Sequence, residues 1–154
     1  MNSQVVIVGA GPAGALLSFL LSSRGIQTTL IERQTDFSRE FRGEVLMPSG
    51  IRALAEAGFS LDDVATVVPN RFEGYLKGRR FVEIDTVDVD TLTPMAVSQP
   101  ELLESLVAAA EQTGAFQFRR GHTVRGLSQD ADGVIDLRLA TTGSNREQTI
   151  RAPY

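Results

Sequence analysis

Cysteine is absent, which removes disulfides, thiolate zinc sites, iron–sulfur clusters and a cysteine nucleophile together. The absence fits a reducing compartment, and the chain reads as cytoplasmic. Histidine occurs once, as His122, so neither a histidine metal cluster nor a catalytic relay can be built. Within "RRGHTV", between two strand candidates, His122 reads as a turn or surface residue. Lysine also occurs once, as Lys77, in a chain of net charge −4, so there is no basic patch to receive a nucleic acid. The other cations are arginines, whose planar, permanently charged forks suit fixed contacts to phosphate and carboxylate. Long uninterrupted apolar runs are missing too. The window from Gln4 to Ser23 is uncharged and mostly apolar, but it lacks a basic leader, is broken by Gly-Ala-Gly-Pro, and carries Gln4, Ser18, Ser22 and Ser23. A buried strand, a tight turn and a helix explain it better than a transmembrane segment or a signal peptide.

What is present is ordinary for a folded chain: 42% apolar and 22% charged residues, too apolar for general disorder. Val5–Val8 is a β-branched run of the kind found in strands buried on both faces. Pro12 falls in the first turn of a helix, where its missing N–H costs nothing. Leu16, Leu17, Leu20 and Leu21 form one helical stripe, and Gly25 caps the end. Thr28–Ile31 is a second strand ending at Glu32, which completes a βαβ unit. Pro48 opens a short helix with Ile51, Leu54 and Ala55 on one face and Gly58 at its end. Residues 72–92 alternate apolar and acidic positions around Lys77-Gly78-Arg79, the pattern of antiparallel strand with one wet face. A further helix begins at Gln99-Pro100 and stops at Gly114, and strands follow over 116–119, 124–128, 134–140 and 148–152. The last segment, "QTIRAPY", leaves an apolar edge uncovered, and the chain is read as incomplete.

Gly9, Gly11 and Gly14 make G-x-G-x-x-G between strand and helix, the context in which this motif binds a dinucleotide. Gly9 allows the turn, Gly11 leaves room for a pyrophosphate, and Gly14 lets the helix lie close to the strands. The first helical turn, through Pro12 and Ala13, offers free N–H groups and the positive end of the helix dipole, worth about 0.3–1 kcal/mol per anionic contact. Glu32, 23 residues after Gly9, is placed to accept both hydroxyls of an adenosine ribose. A ribose 2′-phosphate would meet a like charge there, which disfavours NADP in this bend. Arg33 is assigned to the adenine side or to solvent. These features leave NAD and FAD both open.

The segments "VVIVGAGPAGALLSFLLSSRGIQTTLIER", "FRGEVLMPSGIRALAEAG" and "VSQPELLESLVAAA", in this order, resemble the amino-terminal part of FAD-dependent monooxygenases of the p-hydroxybenzoate hydroxylase type. The resemblance covers most of residues 4–113 and fades beyond. It implies a three-layer, glutathione-reductase-like FAD-binding fold of Rossmann type in the α/β class, joined by part of a mixed or antiparallel substrate-domain sheet. The division it suggests is 1–71 for the βαβ unit and following helix, 72–98 for the start of the substrate-domain sheet, and 99–154 for the return to the FAD-binding domain. It implies FAD as cofactor, NADH or NADPH as transient reductant, dioxygen as co-substrate, and a small organic substrate, aromatic or polycyclic. Matched residue by residue, Gly9, Gly11 and Gly14 hold the pyrophosphate, Glu32 the adenosine ribose, Arg42 the phosphates, and Gln99 the ribityl–phosphate portion; Pro12, Ala13 and Arg33 are counted with them as cofactor-binding residues by their place beside the motif. Arg42 has an independent reading as a bidentate phosphate ligand beside Gly43, whereas Arg39 reads as a surface partner of the neighbouring glutamates.

No catalytic residue is assigned, since the isoalloxazine carries the bond chemistry in such enzymes. Asp85, Asp88 and Asp90 read as a solvated strand face, and Asp130, Asp132 and Gly133 lack the length of a calcium loop. The family's D-G and G-D-A motifs are not within residues 1–154. Rival readings are a prenyl reductase or a halogenase on the same scaffold, a plain NAD-dependent dehydrogenase, and a truncated fragment without activity of its own. The oligomeric state stays open, a dimer included, as does peripheral contact with a bilayer.

Overall fold

A computed structural model describes residues 4–38, 43–85, 93–144 and 147–153 of the chain. They fall into two compact units, Met1–Arg39 with Leu103–Tyr154, and Glu40–Leu102.

The first unit is built on a parallel sheet of β1 (Val5–Val8), β2 (Thr28–Ile31) and β8 (Phe116–Arg119), in the order β1-β2-β8. The three strands coincide with the expected ones. β2 is buried along its whole length because it is the middle strand. β1, expected to be buried on both faces, lies at the edge of this sheet with Val8 exposed. Helix α1 (Pro12–Ser22) covers one face, and an antiparallel meander of β9 (His122–Gln129), β10 (Ile135–Thr141) and β11 (Glu147–Ala152) covers the other. Strand alternation shows the layering. Ile7 approaches α1 at Gly14, whereas its neighbour Val6 packs with Ile31, Leu137 and Leu139 against the meander. The result is a three-layer α/β arrangement.

α1 corrects one expectation. The buried residues are Ala15, Ser18, Phe19 and Ser22, while Leu17 is exposed and Leu16, Leu20 and Leu21 are only half-buried. Three of these four are small, which lets the helix settle closely on the strands. Ser18 is fully buried and satisfies its hydroxyl by donating to the Gly14 carbonyl at 2.7 Å. Gly25 follows the helix with a φ of +78°, as expected of a left-handed cap.

The second unit holds β3 (Gly43–Leu46), helix α2 (Pro48–Glu56), β4 (Thr66–Val67) and β7 (Met95–Ser98), with the antiparallel order β3-β7-β4. These short strands were not expected, since two to four residues carry no readable alternation. Between them lies the hairpin of β5 (Arg71–Leu76) and β6 (Arg79–Asp85), turning through Lys77 and Gly78, both with positive φ. Its wet face is a set of ion pairs: Arg71 with Glu83 and Asp85, and Arg80 with Glu73 and Glu83. Asp85 is thus an ion-pair partner, and Asp88 and Asp90 lie outside the described residues. Helix α3 (Gln99–Glu111) is followed by Gly114, with a φ of +72°. Among the described residues no helix is long and apolar enough to cross a membrane, and no group of three or more His, Asp or Glu could hold a metal ion.

Candidate functional site

The bend between β1 and α1 is held by its own backbone. Gly9 has a φ of +101°, a region that L side chains rarely adopt, and its N–H donates to the Ile31 carbonyl at 2.8 Å. A Cβ on Gly14 would stand 2.0 Å from the Gly9 carbonyl oxygen, so the helix starts as close to the bend as atoms permit. Its tightest neighbour is therefore the bend itself rather than the strands. Gly11 is different. Its backbone is extended (φ −72°, ψ 179°), and a Cβ there would meet no protein atom within 4 Å. Among the described residues nothing demands glycine at that place. The space it leaves open faces a helix start with no side-chain cap, where the Ala13 and Gly14 amides have no preceding helical carbonyl. An anion with several oxygens satisfies those donors. The residues present thus fit a diphosphate.

Glu32 stands at the end of β2, buried at 5% exposure. Its Oε2 accepts the Ala10 N–H at 2.8 Å and its Oε1 accepts the Gln34 N–H at 2.9 Å. The carboxylate therefore fastens the glycine bend to the strand, a task its sequence position did not announce. Glu32, Gly9 and Arg33 share the lining of a recess of ≈ 320 Å³ with Val8, His122 and Val124. Arg33 is exposed, with its carbonyl held by the Thr142 hydroxyl at 2.9 Å.

The segment leaving β2 is pinned further on. The Gly121 N–H donates to the Gln34 carbonyl at 3.1 Å, and buried Phe37 stacks on Phe118 with ring centroids 6.1 Å apart. The Arg120 guanidinium lies over both rings, 4.8 Å from Phe37 and 4.7 Å from Phe118, and both its terminal nitrogens donate to the Glu104 carboxylate. Glu104 raises the Arg120 pKa above its ordinary value. Two bonds from Ser38 hold Asp36 below the usual carboxylate range.

Of the residues singled out in the sequence, the structure brings Gly9, Gly11, Pro12, Ala13, Gly14, Glu32 and Arg33 into one neighbourhood. Gln99 belongs to the second unit, where its side-chain amide donates to Glu44. Arg42 and Arg39 lie outside the described residues. His122 is the residue that sequence reasoning set aside: it opens β9, is half-buried, and lines the recess with Glu32. The available signal was its place just after Gly121, but using it required knowing that β8 pairs with β2.

The family profile described as FAD binding domain matches residues 2–154, essentially the whole chain. The chain belongs to the FAD binding domain family. FAD, rather than NAD, is the cofactor of that family, which settles the choice the glycines left open. Among curated relatives of this FAD binding domain, 12-dehydrotetracycline 5-monooxygenase/anhydrotetracycline 6-monooxygenase of Streptomyces rimosus subsp. rimosus is 33% identical over 100% of the chain and 30% of its own length. Rifampicin monooxygenase of Streptomyces venezuelae is 31% identical over 87% of the chain and 28% of its own length. The chain thus spans about 30% of the length of these relatives. Among solved structures, p-nitrophenol 4-monooxygenase PnpA from Pseudomonas putida DLL-E4 superposes with a TM-score of 0.82 at 23% identity, covering 99% of the chain and 39% of that structure. The flavin-dependent monooxygenase PieE, solved with FAD and substrate, gives a TM-score of 0.76 at 23% identity over 100% of the chain and 29% of that structure. At such identities the likeness establishes the fold.

Proposed function

We propose that this chain is the FAD-binding portion of a flavin-dependent monooxygenase that uses NADH or NADPH and dioxygen to hydroxylate a small organic substrate, aromatic or polycyclic. The observation that carries the cofactor role is Gly11: it keeps space open before uncapped helix amides although no atom of the described residues requires it. The monooxygenase reading draws on the printed activities of the relatives, which include tetracycline-type and rifampicin monooxygenases. In this reading the first-turn amides of α1 and Arg42 hold the diphosphate. Glu32 takes the ribose hydroxyls while keeping Ala10 in place, Arg33 flanks the adenosine, and Gln99 serves the ribityl–phosphate portion. FAD bound there supplies the redox chemistry. The chain's own part is to bind and orient it. Residues 72–98 begin the substrate domain, and the protein works in the cytoplasm.

The test is flavin titration followed by turnover of the whole protein. FAD fluorescence should change on binding with 1:1 stoichiometry, and NAD(P)H oxidation should depend on substrate and oxygen. Label from ¹⁸O₂ should enter the product. Bound flavin with reduction but no oxygen incorporation across phenolic and polycyclic substrates would favour a reductase on the same scaffold.

A further inference from the structure

His122 follows Gly121, whose φ of +68° turns the chain from β8 into β9. Its backbone N–H donates to the Glu32 carbonyl at 2.9 Å, which seats the residue beside the end of β2. The ring Nδ1 lies 2.6 Å from the Arg120 carbonyl oxygen. A carbonyl only accepts, so Nδ1 carries the proton, and in the neutral imidazole Nε2 keeps a lone pair. Among the described residues Nε2 makes no hydrogen bond, although the ring lines the recess shared with Glu32. The recess thus holds two different acceptors. Glu32 adjoins the glycine bend and suits the two hydroxyls of a ribose. His122 adds a single acceptor against apolar walls formed by Val8, Ile31 and Val124. A flat ring with apolar faces and one donor group fits that second place, and the exocyclic amine is the only donor on the adenine base.

We propose that His122 is a binding and specificity residue for the adenosine half of the cofactor, with Nε2 accepting a hydrogen bond from the adenine exocyclic amine. The proposal rests on the FAD reading above. It implies that a base with a carbonyl at the same position is rejected, because two lone pairs would face each other across the recess.

ADP and IDP separate these ideas, since they differ at that group of the purine. Calorimetric titration of the full chain should show ADP binding more tightly than IDP. In His122→Asn, whose amide can still donate to the Arg120 carbonyl but cannot reach the Nε2 position, ADP should weaken about 3–10-fold, the range of one hydrogen bond. IDP, relieved of the facing lone pairs, should bind no more weakly and somewhat more tightly, so that the preference collapses. His122→Gln, which returns an acceptor to the Nε2 position, should restore it. Equal weakening of both nucleotides in His122→Asn, or no weakening of either, overturns the assignment while FAD binding by the unaltered chain stands. If the unaltered chain binds neither ADP nor FAD, the cofactor reading fails first and this one with it.

Discussion

Gly9 and Gly14 are required by the chain itself, whereas the proposed function makes Gly11 answer to what the chain receives. Substitution should separate the two kinds of requirement. Gly14→Ala places a methyl 2.0 Å from a backbone carbonyl and should cost about 1–3 kcal/mol or more in urea unfolding, as overpacked sites do. Gly11→Ala meets no protein atom and has an ordinary φ, so the unfolding free energy should stay within about 0.5 kcal/mol. FAD affinity should nevertheless fall at least about tenfold, which flavin fluorescence would read. A large loss of stability in Gly11→Ala, with binding intact, would remove the open space as an argument for a ligand. Glu32→Gln surrenders one of two acceptors for the Ala10 and Gln34 amides. It should destabilise by about 1–3 kcal/mol and weaken FAD as well. At this scale the bend, its proline and its acid were legible in advance, because backbone φ and phosphate chemistry restrict residue type position by position. The second task of Glu32 and the place of His122 were not. Both depend on pairing across β2, which no local spacing records.

Among the elements, the segment after β2 is anchored by the Phe37–Phe118 stack and the Arg120–Glu104 pair. Arg120→Gln removes the cation from both rings and the charge that pairs with Glu104. Because the pair is partly exposed, unfolding should become easier by only about 1 kcal/mol. FAD affinity should fall with it if this anchoring sets the adenosine wall. β10 and β11 supply a pH prediction. A hydrogen bond from Arg151 holds the Asp136 carboxyl below the ordinary carboxylate range. A depressed carboxylate contributes stability above its unfolded-state value and loses it as pH falls through the folded one. Asp136→Asn should therefore lower Tm near about pH 7 and make no difference near about pH 2, and salt should narrow the neutral-pH gap. A gap that persists in acid would assign the effect to packing. The parallel strands and the helices were readable because runs of branched residues and Pro or Gly punctuation survive in any context. The leucines of α1 misled because the inner face took Ala15, Ser18 and Ser22 beside Phe19, a choice set by proximity to the sheet.

For the molecule as a whole, the two units differ in how deeply their chains are buried. β2 of the first unit is buried throughout, whereas every residue of β6 in the second is exposed. Hydrogen exchange should accordingly be slowest in β2 and fastest in the β5–β6 hairpin, since a lone pair of strands has little stability of its own. FAD at about a hundred times its Kd should raise the unfolding free energy of the first unit by about 2.7 kcal/mol, and denaturant titration with and without cofactor would measure it. The latch from Ala10 to Glu32, together with that from Gly9 to Ile31, has one more consequence. Bonds within the chain itself hold the cradle in shape, so an arriving guest has little disorder to quench. Association should then run at a pace set by encounter rather than by rearrangement, and the Ala10 proton should stay shielded from solvent whether or not a guest is seated.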